Sequence, residues 1–175
     1  RGECAQICRN YFELDKKAGY YFSCKDLFLS TKIFELKKAK IDSFKIEGRM
    51  KSPEFVYNVV KYYRYLLDSE EESLKKTTLK ELEDKIKLSF SRKTTTGYFL
   101  SKSGNNLLDK DMPTHEGLKI GIVKSLEKNC FTFKTASELT LHDGLMFFTN
   151  KEKKENFRFS IKKMEKGGKR NAVTK

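Results

Sequence analysis

The chain has 175 residues, of which 37 are lysine or arginine and 24 are aspartate or glutamate, so its net charge at pH 7 is +13. This length suits one full domain or two small ones, and the charge favours a polyanionic partner, RNA first. The alternative explanation for this positive charge is an AT-rich genome that overuses lysine. No apolar run approaches the ~20 residues of a membrane span and no signal-peptide pattern opens the chain, so we expect no membrane and a cytoplasmic location.

The first residues carry a pair of cysteines that could bind a metal. Cys4 and Cys8 are separated by three residues, and Arg1 and Arg9 flank them and favour the thiolate. On one helical turn or in a loop the two thiols can converge on zinc or an iron–sulfur cluster. Two ligands do not close a site, so buried or incidental cysteines are the alternative. Because the chain begins at Arg1, we expect a fragment or a processed chain.

The next segment predicts a short strand-like run followed by a helix. Residues 15–19 form a polar turn, and residues 20–22 are apolar. Ser23 and Asp26 have the spacing of a capping box, which predicts a helix from about Cys24 to Ala39. At the start of that helix the dipole would lower the pKa of the Cys24 thiol. Cys24 is therefore a candidate third ligand, or else a small N-terminal filler residue.

Residues 43–53 form the most informative stretch of the chain. The sequence predicts a strand with Lys45, Glu47 and Arg49 on one face, because side chains alternate along a strand. Ser52 then caps a helix that begins at Pro53 and ends near residue 68. A polar strand end that leads into a capped helix is where α/β proteins place their chemistry. A surface strand with a salt-bridge ladder is the alternative.

The remaining chain changes from helix to short strands. Residues 69–76 are a charged connection, and a helix capped by Thr77 or Thr78 is predicted from about Leu79 to Phe90. From Ser91 onward, turn residues separate short apolar or alternating runs, which predicts a small antiparallel β-barrel cut before its closing strand. The predicted strands are residues 118–126, 130–135, 145–149 and 157–164.

The sequence shows no recognisable protease signature. GxSxG and HExxH patterns are missing, and His115 and His142 lie in predicted loops far along the chain from Glu47. The segment from His142 to Gly144 is most simply a turn. Cys130 lies in a predicted strand, where it is most simply a packing residue.

Several segments resemble one protein family. Arg1 to Arg9 resembles the RGxCAQPCR segment of the U32 peptidase (collagenase-like protease) family, with Ile7 in place of proline. Residues 25–27 and 42–54 resemble its KDL and DSLKIEGRMKSPEY segments. Residues 90–99, 117–121 and 143–144 resemble the C-terminal regions of the ribosomal-RNA hydroxylation subgroup.

The resemblance implies a fold that combines α/β and all-β parts. Residues 1–69 would be the last part of a TIM-like α/β barrel, residues 70–96 a helical connector, and residues 97–175 a small antiparallel β-barrel, possibly truncated. Half a barrel leaves strand edges unpaired. We therefore expect this chain to be inactive by itself and to need the upstream part of the barrel or a second chain.

The resemblance also implies a redox cofactor. Several members act in oxygen-independent hydroxylation of RNA or of a quinone precursor with a [4Fe–4S] cluster, and the RNA-directed members use prephenate. Cys4 and Cys8 match positions of the family's cysteine cluster, and further ligands would lie upstream. A cysteine often follows the KDL segment in cluster-bearing relatives, whereas Phe28 stands there in this chain. Cys24, one helical turn earlier, is the candidate substitute.

The sequence therefore predicts part of a prephenate-dependent enzyme that hydroxylates ribosomal or transfer RNA. Lys45, Glu47 and Arg49 would line the mouth of the barrel and hold an anionic molecule or orient the base. Basic residues of the β-rich part would contact RNA phosphates. These are Lys162, Lys163, Lys166, Lys169 and Arg170. A peptidase and a non-catalytic RNA- or partner-binding module are the alternatives.

Overall fold

A computed structural model of the chain describes residues 3–48, 51–100, 107–128, 130–148, 156–165 and 172–174. Its contacts divide the chain into a first unit, Arg1–Leu118, and a second unit, Lys119–Lys175. The predicted boundaries near residues 69 and 96 both fall inside the first unit, and the three-part division stays a prediction. No helix in the described ranges is long and apolar enough to span a bilayer.

Three helices dominate the first unit: α1 (Ile33–Lys38), α2 (Pro53–Asp68) and α3 (Lys76–Ser89). Helix α2 begins as predicted, because the Ser52 hydroxyl accepts a hydrogen bond from the Phe55 N–H at 3.2 Å and Pro53 follows. Helix α3 begins earlier than expected. Its N-cap is Lys75, with no side-chain cap, so the predicted threonine caps are wrong.

The apolar faces of the three helices form the core of the first unit. Its buried members are Ile33, Val59, Tyr62, Leu66, Leu82 and Ile86. Phe28 stacks on Tyr62 with ring centroids 5.5 Å apart, which joins the segment before α1 to this core. Burial of apolar side chains is the main favourable term in folding. The core therefore holds α2 in place, and the partly buried Ile46 also packs against it.

The predicted helix from Cys24 to Ala39 is wrong over its first half. Strand β3 (Asp26–Leu27) instead pairs in parallel with β4 (Thr94–Thr95). The Asp26 N–H donates to the Lys93 carbonyl at 3.0 Å and the Phe28 N–H to the Thr95 carbonyl at 2.9 Å. Since these N–H groups are used in the ladder, they cannot form helical bonds, and the α-helix starts only at Ile33.

Two neighbouring expectations change with it. The Ser23 hydroxyl does not cap a helix: it is buried and donates to the Met112 carbonyl at 3.2 Å. The predicted polar turn belongs to a hairpin of β1 (Phe12–Leu14) and β2 (Lys17–Gly19). Its two turn residues both have positive φ, as in the type I′ turns that suit two-residue hairpins. These are Asp15 and Lys16, neither of them the usual glycine.

The described residues of the second unit contain six strands: β5 (Val123–Leu126), β6 (Cys130–Phe133), β7 (Gly144–Phe148), β8 (Asn156–Ser160), β9 (Lys163–Met164) and β10 (Ala172–Thr174). Strands β5, β6, β10 and β9 form one sheet in that order, and β7 pairs with β8. The predicted runs of short strands are thus confirmed, with shifted ends. The described strands do not close on themselves, and the β-barrel and TIM-like parts stay predictions.

Aromatic side chains connect the two sheets of the second unit. Phe131 lies 5.5 Å from Phe147 and 5.7 Å from Phe159, measured between ring centroids. Ile161 is fully buried beside Phe133. Gly121 is needed where it stands, because a Cβ there would lie 2.7 Å from the Lys134 carbonyl oxygen.

Candidate functional site

The predicted cysteine ligands are exposed free thiols on the first unit. Cys4 Sγ accepts a hydrogen bond from the Gln6 N–H at 3.4 Å, and Cys8 lies in the short 3₁₀ turn Ile7–Arg9. The sequence predicts Cys24 at the start of a helix, but in the structure its backbone instead pairs with Leu108. The predicted effect of a helix dipole on its thiol is therefore wrong.

The described residues contain no group of three or more histidine, cysteine, aspartate or glutamate side chains that could hold a metal ion. A [4Fe–4S] cluster is usually held by four cysteine thiolates. The side chains brought together in this fold therefore do not by themselves make a cluster site. The ligand roles of Cys4, Cys8 and Cys24 stay predictions.

The predicted strand that contains Lys45 and Glu47 is wrong, because this segment pairs with no other strand among the described residues. Lys45 Nζ lies 3.4 Å from Glu47 Oε2, and the two side chains are 84% and 73% exposed. Such exposed pairs contribute ~0–1 kcal/mol to stability. Arg49 lies outside the described residues. The catalytic role of all three stays a prediction.

Gly48, in the same segment, fixes how closely the chain approaches α2. A Cβ at this position would lie 2.7 Å from Cγ2 of Val56, a separation that real Cβ atoms do not show. The Lys51 N–H donates to the Gly48 carbonyl at 3.0 Å, which turns the chain into the helix. Glycine at this position therefore lets the chain pass close to Val56, in the first turn of α2, just before the helix begins.

Charged side chains from three other segments act electrostatically on Lys51, and with it they are here called the motif junction: Arg9, Asp26, Lys51 and Arg92. Arg92 Nε donates to Asp26 Oδ1 at 3.2 Å, and Nη2 of Arg92 donates to the same oxygen. The two side chains are 21% and 30% exposed. Burial lowers the pKa of Lys51, Asp26 opposes that shift, and the charges of Arg92 and Arg9 add to it.

Aromatic rings line the motif junction. Lys51 Nζ lies 2.9 Å from the centroid of the Phe90 ring and 5.3 Å from that of Phe55. Phe90 in turn stacks on the His115 ring, with centroids 5.5 Å apart. His115 Nδ1 accepts the Ser91 N–H at 2.7 Å, so this nitrogen supports the backbone. The junction thus combines three cations, one carboxylate and an aromatic surface.

A second ion pair lies at Lys93, directly before β4. Lys93 Nζ lies 2.8 Å from Oδ1 of the buried Asp109 and 3.3 Å from Oδ2 of Asp111. Burial opposes the charge of Lys93, but its hydrogen bond to Asp109 and the charge of that carboxylate outweigh this and raise its pKa. This pair ties residues 107–111 to β4.

Sequence reasoning missed the motif junction as a site. Each of its four residues lies in a segment that the sequence analysis quoted, but those segments are far apart in the chain. Asp26 and Arg92, for instance, are 66 residues apart and meet only because β3 pairs with β4. The signal that could have indicated the motif junction is that each of the four segments that resemble the family carries one of these charged residues.

The structure describes only two of the five residues that are predicted to contact phosphates in the second unit. Lys162 and Lys163 are exposed, and Lys163 Nζ lies 3.2 Å from Glu165 Oε1. Lys166, Lys169 and Arg170 lie outside the described residues. The second unit carries 14 lysines and arginines against six acidic residues, so most of the chain's positive charge excess belongs to it.

Comparison with known proteins identifies the family. The model of "Peptidase family U32" matches residues 1–109. A "23S rRNA 5-hydroxycytidine C2501 synthase" of Escherichia coli is 28% identical over 87% of this chain and 25% of its own length. A "Collagenase" of Porphyromonas gingivalis is 33% identical over 58% of this chain and 30% of its own. The "tRNA hydroxylation protein P1" of Bacillus subtilis is 36% identical over 59% of this chain and 28% of its own length.

The chain therefore spans between a quarter and a third of the length of these curated relatives. No solved structure gave a significant match. The family model covers more than half of the chain and includes all four residues of the motif junction. This chain belongs to peptidase family U32.

Proposed function

We propose that the chain is part of an enzyme that hydroxylates a base of ribosomal or transfer RNA. The observation that carries this proposal is the extent of the match to the rRNA 5-hydroxycytidine synthase, which covers 87% of the chain. The first unit has only 118 residues, so that match reaches into the second unit. The matches to two collagenases cover only 58% and 39% of the chain.

The charge of the second unit supports an RNA substrate. Each lysine or arginine that neutralises a phosphate releases counterions, which is the main source of non-specific affinity for nucleic acids. Lys162 and Lys163 are exposed at the end of the β-rich part and can make such contacts. In this proposal the second unit holds the RNA backbone while residues of the first unit act near the base.

Hydroxylation replaces a base C–H by C–OH and is an oxidation, so it needs an oxygen source and an electron acceptor that side chains do not supply. The [4Fe–4S] cluster and prephenate stay predictions from the family resemblance. Iron and sulfide analysis of the anaerobically purified protein tests the first of them. We expect iron and sulfide in the wild type, and their loss in the Cys4→Ser, Cys8→Ser variant.

The proposal is tested by mass spectrometry of nucleosides from purified ribosomal and transfer RNA. Deleting the gene is expected to remove one hydroxylated pyrimidine nucleoside, and restoring the gene is expected to return it. Separate digests of the two RNA classes show which one is the substrate. Identical nucleoside profiles with and without the gene, in both RNA classes, would contradict the proposal.

A peptidase is the second candidate, because two relatives carry the name "Collagenase" and one of them is 38% identical over 78 residues. The sequence gives this candidate less support, since it contains neither a GxSxG nor an HExxH pattern. Cleavage of denatured collagen by the purified protein, undiminished in the Cys4→Ser variant, would favour a peptidase. RNA binding without modification or cleavage would favour a binding module.

A further inference from the structure

The motif junction has more positive than negative charge in a partly buried setting. Arg92 is hydrogen-bonded to Asp26, and the charges of Arg92 and Arg9 both act on Lys51. Asp26 is the acidic group among the described residues whose charge acts on Lys51. Like charges that share a site disfavour one another. An ion pair with Asp26 would need only one of these cations, so the motif junction keeps a net positive charge.

Asp26 orients Arg92 in a defined way. It accepts hydrogen bonds from Nε and Nη2, which form one edge of the planar guanidinium. The Nη1 edge therefore faces away from that carboxylate. Guanidinium groups bind carboxylate and phosphate through such an edge, often with two parallel hydrogen bonds. Asp26 thus holds Arg92 in an orientation suited to an incoming anion.

The aromatic surface limits the water around Lys51. Its ammonium lies 2.9 Å from the Phe90 ring centroid, and His115 also stacks on that ring. Electrostatic interactions strengthen where water is excluded. An anion that reaches Lys51 is therefore bound more strongly than one at the fully exposed lysines of the same unit.

We propose that Arg9, Lys51 and Arg92 form an oxyanion subsite that binds a carboxylate or phosphate group. Arg92 supplies the planar fork, Lys51 supplies a point charge, and the exposed Arg9 closes the subsite from the cysteine-bearing segment. The oxyanion belongs either to a small organic acid or to the RNA backbone. The subsite does not depend on the chemistry proposed above, since its binding can be measured without any reaction.

Calorimetric titration of the purified protein at low ionic strength tests the subsite. The probes are malonate, inorganic phosphate and a uridine hexanucleotide, each titrated into the wild type, Lys51→Gln and Arg9→Gln. The matched control is Lys61→Gln, because Lys61 is exposed and also lies over an aromatic ring, that of Tyr57, at 5.6 Å. Circular dichroism shows that each variant is folded.

We expect Lys51→Gln and Arg9→Gln each to weaken binding about tenfold, the effect of losing one charge-assisted interaction. The control should differ from the wild type by less than about twofold. Tighter binding of malonate identifies a small acid as the ligand, and tighter binding of the hexanucleotide identifies a phosphodiester. No binding of any probe, or equal loss in the control, overturns the subsite.

A second measurement does not require a variant. Reductive methylation of lysines, followed by peptide mass spectrometry, reports how accessible each amine is. The probe that binds most tightly is expected to protect Lys51 from methylation. It should leave Lys61 as reactive as in the protein without probe. Equal protection of both lysines, or of neither, would contradict the subsite and would leave the RNA hydroxylation proposal untouched.

Discussion

Replacing Leu66 with alanine should destabilise the first unit strongly. Leu66 is 3% exposed and packs in the core formed by α1, α2 and α3. Loss of about three buried carbon groups at ~0.8 kcal/mol each removes about 2.4 kcal/mol of transfer free energy. Incomplete collapse around the cavity raises the expected loss in the free energy of unfolding to ~3–4 kcal/mol.

Tyrosine fluorescence during urea unfolding measures this loss in the first unit alone. All eight tyrosines precede Lys119 and the chain has no tryptophan, so the second unit does not contribute to the signal. Val60→Ala is the control, because Val60 lies on the same helix but is 41% exposed. It should cost less than ~0.5 kcal/mol. Equal losses in the two variants, or a loss below ~1 kcal/mol in Leu66→Ala, would refute the assigned core.

Three further outcomes follow from named contacts. Ser52→Ala should lower the free energy of unfolding by ~1 kcal/mol through loss of the helix cap, while Ser43→Ala, at an exposed position, should not. The raised pKa of Lys93 means that its pair with Asp109 contributes fully below the unfolded pKa of 10.5. The stability gap between wild type and Asp109→Asn, followed by urea titration, should therefore stay constant from neutral pH to about pH 10 and narrow above it. A gap that shrinks below pH 9 would argue against the pair. Lys162→Gln with Lys163→Gln should reduce the salt dependence of RNA affinity by about one unit of slope per lost phosphate contact, whereas Lys61→Gln should leave it unchanged.

Local signals in the sequence predicted local structure well. Helix α2 has an apolar period, a serine cap and an N-terminal proline within one stretch, and all three act on the same turn of backbone. Its predicted and observed limits therefore agree. The strands of the second unit could also be predicted, because alternation of apolar residues and turn residues are local signals.

Long-range pairing explains the errors. Ser23 and Asp26 have the spacing of a capping box, but Asp26 pairs with Thr94, which nothing near it in sequence indicates. The segment around Lys45 has strand-like alternation, yet among the described residues no neighbouring strand pairs with it. A strand forms only where a partner supplies hydrogen bonds. Residues at the motif junction escaped detection for the same reason, since their convergence depends on β3 and β4.

The central claim is that the motif junction serves an RNA-hydroxylating enzyme, and one complementation experiment tests it most directly. A strain that lacks the gene receives full-length wild-type, Lys51→Gln or Lys61→Gln protein at equal levels, and hydroxylated nucleosides in its RNA are quantified by mass spectrometry. We expect wild type and Lys61→Gln to restore the nucleoside and Lys51→Gln to fall about tenfold short, as for loss of one charge-assisted contact. Full restoration by Lys51→Gln, or no hydroxylated nucleoside that depends on the gene, would contradict the account.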